Sequence, residues 1–165
     1  MNTYQVILDK AFRRAEENAK SVSKMKNRIS LARNREIVRI ETVKNIVLSE
    51  LDGLILRIPK DYNLSRYYKD LLDIVFGWKK VKRSVIRVKF IKNFVKDLFF
   101  KYKNSIKVTK DIHKMKELRR EFYGRVASLL KRNKDYIEFL VEVYNYYRKL
   151  PKFKAFPTVV IAGLP

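Results

Sequence analysis

Along residues 109–150 the apolar positions are Ile112, Met115, Leu118, Phe122, Val126, Leu129, Tyr136, Leu140, Tyr144 and Tyr147. Steps of three and four put them in one stripe on one helical face, interrupted only by the polar Asn133. Leu150-Pro151 closes the stretch, because a proline disfavours helical backbone at the residue before it. The spacing predicts one continuous or gently bent helix, about 60 Å long at 1.5 Å per residue. Its alternative is a stop and restart at Asn133, Lys134 and Asp135, giving two helices folded as a hairpin. Either way the stripe needs partner helices, which the preceding chain must supply.

That chain repeats the same period. Asn2 and Gln5 have the spacing of a capping box, followed by Tyr4, Ile7, Leu8, Ala11, Phe12 and Ala15 on one face of a first helix ending near Asn18. Ser21 to Asn27 is a polar, basic joint. A second helix runs from about Arg28 to Leu51, with Ile29, Ala32, Ile37, Ile40, Val43, Val47 and Leu51 inward. Asp52-Gly53 and Pro59 bracket a turn region. A short helix from Leu64 to Phe76, capped by Asn63 or Ser65, closes at Gly77. The next, about Trp78 to Tyr102, carries Val81, Val85, Val88, Ile91, Val95, Leu98, Phe99 and Tyr102, and Asn104 to Lys107 reads as a loop. The fold class is all-α: an antiparallel bundle of about four main helices over residues 1–154, with coiled-coil-like crossings near 20° expected.

The last eleven residues are of another kind. Thr158-Val159-Val160-Ile161-Ala162 is β-branched and apolar, the composition of a strand buried in a parallel sheet, and Gly163 follows it. Residues 155–165 therefore read as a separate, isolated strand entering a glycine turn.

Composition adds one large fact. The chain has 39 Lys and Arg against 17 Asp and Glu, a net charge of +22, while 47% of its residues are hydrophobic, as in a packed globular domain. Charge of this size points to a polyanionic partner, nucleic acid before an anionic membrane surface. Membrane binding is disfavoured, because the amphipathic faces are needed by one another. Without cysteine there is no disulfide framework and no thiolate metal site, compatible with the cytoplasm. Residues 1–17 are charged throughout, so no signal peptide is expected.

Candidate catalytic groups are sparse. His113 is the sole histidine, which excludes His pairs, and Glu16-Glu17, Asp70 and Asp73 read as solvated or ion-paired charges. The cations are more informative. One cluster, Lys24, Lys26, Arg28, Arg33 and Arg35, surrounds the start of the second helix. Another, Lys79, Lys82, Arg83, Arg87, Lys89, Lys92 and Lys96, follows Trp78. A third, Lys116, Arg119, Arg120, Arg125, Lys131, Arg132 and Lys134, lies on the C-terminal helix. Like charges at i, i+4 cost a few tenths of a kcal/mol each, so their accumulation suits a chain that meets phosphates. Most of the aromatics fall in the apolar stripes, where core packing is the default reading; Tyr67, Tyr68 and Tyr146 are the ones expected to be partly exposed and so the candidates for base stacking.

Three segments together resemble a known family: Gly124-Arg125-Val126-Ala127-Ser128-Leu129-Leu130-Lys131-Arg132, then Leu150-Pro151, then Pro157 to Pro165. They are similar to the Nog family of ribosome-assembly GTPases, the nucleolar GTP-binding protein type related to the Obg group. There the corresponding segments are G-R-(M/V)-A-x-x-x-K-R, a helix ending in Leu-Pro, and a strand leading into a phosphate loop. Tyr4, Ala11 to Ala15, Arg35-Glu36, Val43-Lys44, Pro59 and Tyr67 to Leu72 also look like the family. The resemblance implies an N-terminal helical domain that docks on large-subunit rRNA or a pre-ribosome, ahead of a GTPase domain that needs GTP and Mg2+. It implies a monomer, cytoplasmic or, in a eukaryote, nucleolar. Gly163 would begin the phosphate loop of the intact parent. The loop's Asn-Val-Gly-Lys-Ser part does not follow, so this chain by itself is expected to hold no cofactor and to hydrolyse nothing.

Overall fold

The computed structural model describes residues 2–23, 27–60 and 64–151. Six α-helices carry them: α1 (Thr3–Lys20), α2 (Arg28–Arg57), α3 (Arg66–Phe76), α4 (Trp78–Val108), α5 (Ile112–Arg132) and α6 (Lys134–Lys149). The expected strand at Thr158 to Ala162, Gly163, and the cluster residues Lys24 and Lys26 lie outside the described residues.

Local chemistry sets most helix ends. Gln5 accepts a hydrogen bond from the Asn2 backbone N–H at 3.0 Å, the expected reciprocal contact at the start of α1. The Asn27 side chain accepts from Ile29 and Ser30 N–H at the start of α2, and Asp111 accepts from His113 N–H at the start of α5. Between α3 and α4 the backbone reverses at Gly77, whose φ of 74° lies where a side chain is strained. Its N–H donates to Asp73 O and the next, on Trp78, to Asp73 Oδ1.

Cross-helix contacts give the topology. Lys10 pairs with Glu50 and Asn18 with Thr42, so α1 and α2 run in opposite senses. Lys92 pairs with Asp52, and Arg33 with Thr109, which makes α2 and α4 antiparallel. Tyr102 with Glu121 and Arg87 with Asn133 do the same for α4 and the α5–α6 pair. The result is an up-down-up-down bundle of α1, α2, α4 and α5–α6, with α3 on the flank of α4. The core is built largely from the predicted stripes: Ile7, Ala11, Ile40, Val43, Val47, Val88, Ile91, Val95, Phe122, Val126 and Leu140 are all buried, whereas Ile29, expected inward at the start of α2, is 38% exposed.

Three expectations need correction. Asp52-Gly53 is not a turn: Leu51, Leu54 and Ile58 keep the helical period, and α2 runs through Gly53 to Arg57. Asn104 to Lys107 is not a loop, because buried Ile106 sits one turn beyond Tyr102 and carries α4 to Val108. The C-terminal helix is not continuous. Asn133 stands on the stripe, 2% exposed, and its Nδ2 donates to Leu129 O at 2.8 Å. A side chain bonded to the helix's own carbonyls competes with the backbone ladder, and α5 ends there. α6 starts at the next residue, and the buried face moves one position from the predicted stripe: Leu130, Ile137, Leu140 and Val143 are buried, whereas Tyr136, expected on the stripe, is 36% exposed. The two pack on the same neighbours rather than folding as a hairpin.

Candidate nucleic-acid interface

The charges sort into those used between helices and those turned outward. Glu36 of α2 is 3% exposed. Arg39 Nη1 donates to it at 2.8 Å, while Arg39 Nε and Nη2 reach Glu16 of α1 at 3.0 Å. From α5, Arg119 Nε lies 2.7 Å from Glu36 Oε2. That contact is an ion pair without hydrogen-bond alignment, and neither atom has a hydrogen-bond partner. Two carboxylates and two guanidinium groups thus neutralise each other where α1, α2 and α5 meet. Burial disfavours the charge on Arg39, but the Glu16 hydrogen bond and the attraction of Glu36 outweigh it and raise its pKa.

Tyr123 closes this network from below. Its ring stacks on Phe12 at 4.6 Å between centroids, with the Arg119 guanidinium 5.3 Å from its centre. Burial pushes the Tyr123 phenol up to about 12; Glu16 adds to the rise, and Arg119 and Arg39 oppose it. Glu16, expected as a solvated or ion-paired charge, is therefore ion-paired.

Of the first cluster, Arg28 is exposed. Arg33 Nη2 donates to Thr109 O at 3.0 Å and ties α2 to the α4–α5 connection. The Nε atoms of Arg33 and Arg35 are buried without hydrogen-bond partners. This end of the bundle is separated from Asn133 by the length of α5, roughly 30 Å for its helical rise.

The second cluster divides around α4. Lys82 and Lys89 flank an apolar groove with Ile55, Ile58, Trp78 and Val85, on the side of α2. Lys92 is paired with Asp52. Lys79 is exposed, and Arg83 lines a depression with Asp135, Glu138 and Glu142 of α6. Arg87 Nε donates to Asn133 Oδ1 at 2.8 Å, which brings this cluster to the third one.

In the third cluster Arg119 is paired with Glu36, and the other members are exposed. Arg120, Arg125, Lys131 and Arg132 are exposed, and none of them forms a salt bridge among the described residues. Arg125 and Arg132 line a groove between α5 and α4 with Gly124, Ser128 and Phe94. Phe94 is 43% exposed and Phe90, one turn earlier, 50%; Arg87 sits 5.1 Å over the Phe90 ring. These two phenylalanines were missed by reading the stripes. The available signal was position: they fall between Arg83 and Arg87 on one side and Asp97 on the other, off the Val88-Ile91-Val95 face. The three tyrosines expected to be partly exposed are so: Tyr67 is exposed, and Tyr68 and Tyr146 are half-buried against other rings.

Among the described residues no His, Cys, Asp and Glu group could hold a metal ion, and His113 only approaches Glu117, at 3.4 Å on the surface. No helix among them is long and apolar enough to cross a membrane.

Comparison with known proteins places this surface in context. Residues 2–154 match the NOG1 N-terminal helical domain. An uncharacterized protein of Methanocaldococcus jannaschii is 29% identical over 160 residues, covering 96% of this chain and 46% of that protein. Nucleolar GTP-binding protein 1 of Caenorhabditis elegans is 24% identical over 77% of this chain and 19% of its own length. Its namesake in Saccharomyces cerevisiae is 20% identical over 96% and 25% respectively. The chain thus spans less than half the length of these relatives. A match over nearly all of the helical bundle, including the Gly124 to Arg132 segment that lines the α4–α5 groove, assigns the chain to the NOG1 N-terminal helical domain family.

Proposed function

We propose that this domain binds large-subunit rRNA in an assembling ribosome, as the N-terminal part of a GTP-binding protein. One observation carries the reading: Glu16, Glu36, Glu50 and Asp52 are paired with cations of neighbouring helices, while Arg120, Arg125, Lys131 and Arg132 are exposed and form no salt bridge among the described residues. Affinity then comes mainly from phosphate contacts, and placement from the shape of a folded RNA. The names of the eukaryotic relatives, nucleolar GTP-binding proteins, support the GTP-binding half of the reading. GTP and Mg2+ belong to the intact protein, whose GTPase domain begins, in this reading, with residues 155–165 and Gly163. A nucleolar location follows if the source is eukaryotic and a cytoplasmic one otherwise; the domain acts as a monomer.

The test is a titration of the chain against large-subunit rRNA pieces and an unstructured RNA of equal length, at two salt concentrations. Preference for one folded piece that survives moderate salt is expected. Equal, salt-erased binding to every RNA would defeat the docking role.

A second reading rests on the apolar groove of Ile55, Ile58, Trp78 and Val85, with exposed Ile86 beside it. It takes the bundle as a docking surface for its own GTPase domain or for another assembly factor. A pull-down with the separately made GTPase domain, lost on Ile86→Glu, is its expected signature.

A further inference from the structure

The groove between α4 and α5 has features that the fold does not need. Gly124 sits in the middle of α5, where glycine is less favourable than alanine. A β-carbon built there meets nothing within 4 Å, so no neighbour in the bundle demands its absence. Across the groove, Phe94 leaves 43% of its surface in water. Burying the rest of that ring would stabilise the fold, and the bundle forgoes it. Arg125 and Arg132 flank the same space. Its one acid, Glu121, accepts a hydrogen bond from the Tyr102 hydroxyl at 3.1 Å.

We propose that this groove takes an unpaired segment of RNA, one base laid on the Phe94 ring and its flanking phosphates met by Arg125 and Arg132. An exposed phenyl offers a π-face that any base can stack on, whereas base pairs inside a duplex keep their faces stacked on each other. Guanidinium groups match phosphate oxygens in a two-pronged geometry. With hydrogen alone on its Cα, Gly124 leaves backbone depth for a ribose to enter. A second ring, Phe90, follows at 6.2 Å between centroids and is already capped on one side by Arg87, so Phe94 is the stacking position. Charge complementarity chooses RNA over an apolar peptide, because the flanks of the groove are cationic. The inference rests on the RNA-binding reading above and adds to it a strand state: unpaired rather than helical.

The test uses the whole chain and two probes, an oligouridylate carrying 4-thiouridine and an RNA duplex of equal length, at moderate salt. The wild type is expected to bind the single strand more tightly and to crosslink it within α4 or α5. Phe94→Ala should weaken the single strand roughly tenfold, since one stack is worth about 1–3 kcal/mol, and leave duplex binding and the salt slope unchanged. Gly124→Leu fills the groove while favouring the helix, so it keeps the thermal melt of the wild type or raises it, and should erase the single-strand preference. If both variants bind the oligouridylate like the wild type, the groove assignment is overturned. If charge reversal at Arg120 and Lys131 still abolishes duplex binding in that case, the broader RNA reading stands. A wild type that binds neither probe at any salt defeats the broader reading itself.

Discussion

Arg87 on α4 donates its Nε hydrogen to the Oδ1 of Asn133, 2.8 Å away, at the single residue that separates α5 from α6. The same Asn133 side chain donates through Nδ2 to Leu129 O. One buried amide thus ends a helix and fastens the joint to its neighbour. Asn133→Ala removes both bonds and should cost about 1–2 kcal/mol. Arg87→Ala should cost less, because Arg87 is exposed. In a double-mutant cycle read by urea denaturation the two should be coupled by about 1 kcal/mol. Strict additivity would mean that the bond contributes nothing to stability.

Glu36 offers a larger effect. With 3% exposure and guanidinium groups on it from α2 and α5, its removal leaves two cations sharing the single carboxylate of Glu16. Glu36→Gln is expected to destabilise the bundle by about 3 kcal/mol, the range for breaking one side of a buried pair. Differential scanning calorimetry reads it as a lowered Tm; an unchanged Tm would show that the cluster is neutral to folding.

Tyr123 predicts an alkaline response. The phenol is pushed up to about 12 by burial, with Glu16 assisting and Arg119 and Arg39 opposing. Glu36 stands in the same cluster through its contact with Arg119. Between the ordinary tyrosine value near 10 and the folded value, the native state holds a proton that the unfolded chain has released. The stability it contributes is present in full below pH of about 10 and is lost as pH rises towards 12, by about 1 kcal/mol after screening. Tyr123→Phe should remove that part of the decline. Because the hydroxyl is buried without a hydrogen-bond partner, the variant should be no less stable at neutral pH. Denaturant midpoints for both proteins across this range make the comparison.

Gly77 is a backbone requirement. A β-carbon there meets only Lys80 Cβ at 4.0 Å, so space is adequate, but φ of 74° is strained for any side chain. Gly77→Ala should cost about 1–2 kcal/mol, and Gly124→Ala, in a plain helical position, should stabilise by up to about 1 kcal/mol. Opposite signs at two glycines of one chain would be read in a single series of thermal melts.

Much of the bundle was legible because its signals are local. The periods of α1, α2 and α4 mark most of their buried faces, and Ser65 and Gly77 mark the ends of α3. Gly53 misled because glycine punctuates only where burial does not override it; Leu51 and Leu54 on either side are buried and hold the helix together. At Asn133 the outcome depends on Arg87, far away in sequence, so the spacing of the apolar stripe alone does not decide between a continuous helix and a break. The same limit applied to the cations. Arg33, Arg39, Arg119 and Arg125 look alike in a sequence, and only tertiary partners separate the inward from the outward. Phe90 and Phe94 passed unnoticed among aromatics assumed to be core.

The placement of carboxylates between helices has a consequence for how the domain answers to electrolyte. With Glu16, Glu36, Glu50 and Asp52 committed to cations of neighbouring helices, the remaining surface carries excess positive charge and repels itself. Added salt screens that repulsion and should firm up the fold, while the same ions displace the domain from any phosphate lattice it grips. Folding and grip therefore pull in opposite directions along one axis. Bound polyanion resolves the opposition by acting as the counter-ion the surface lacks, so the domain should be at its most rigid when it is docked.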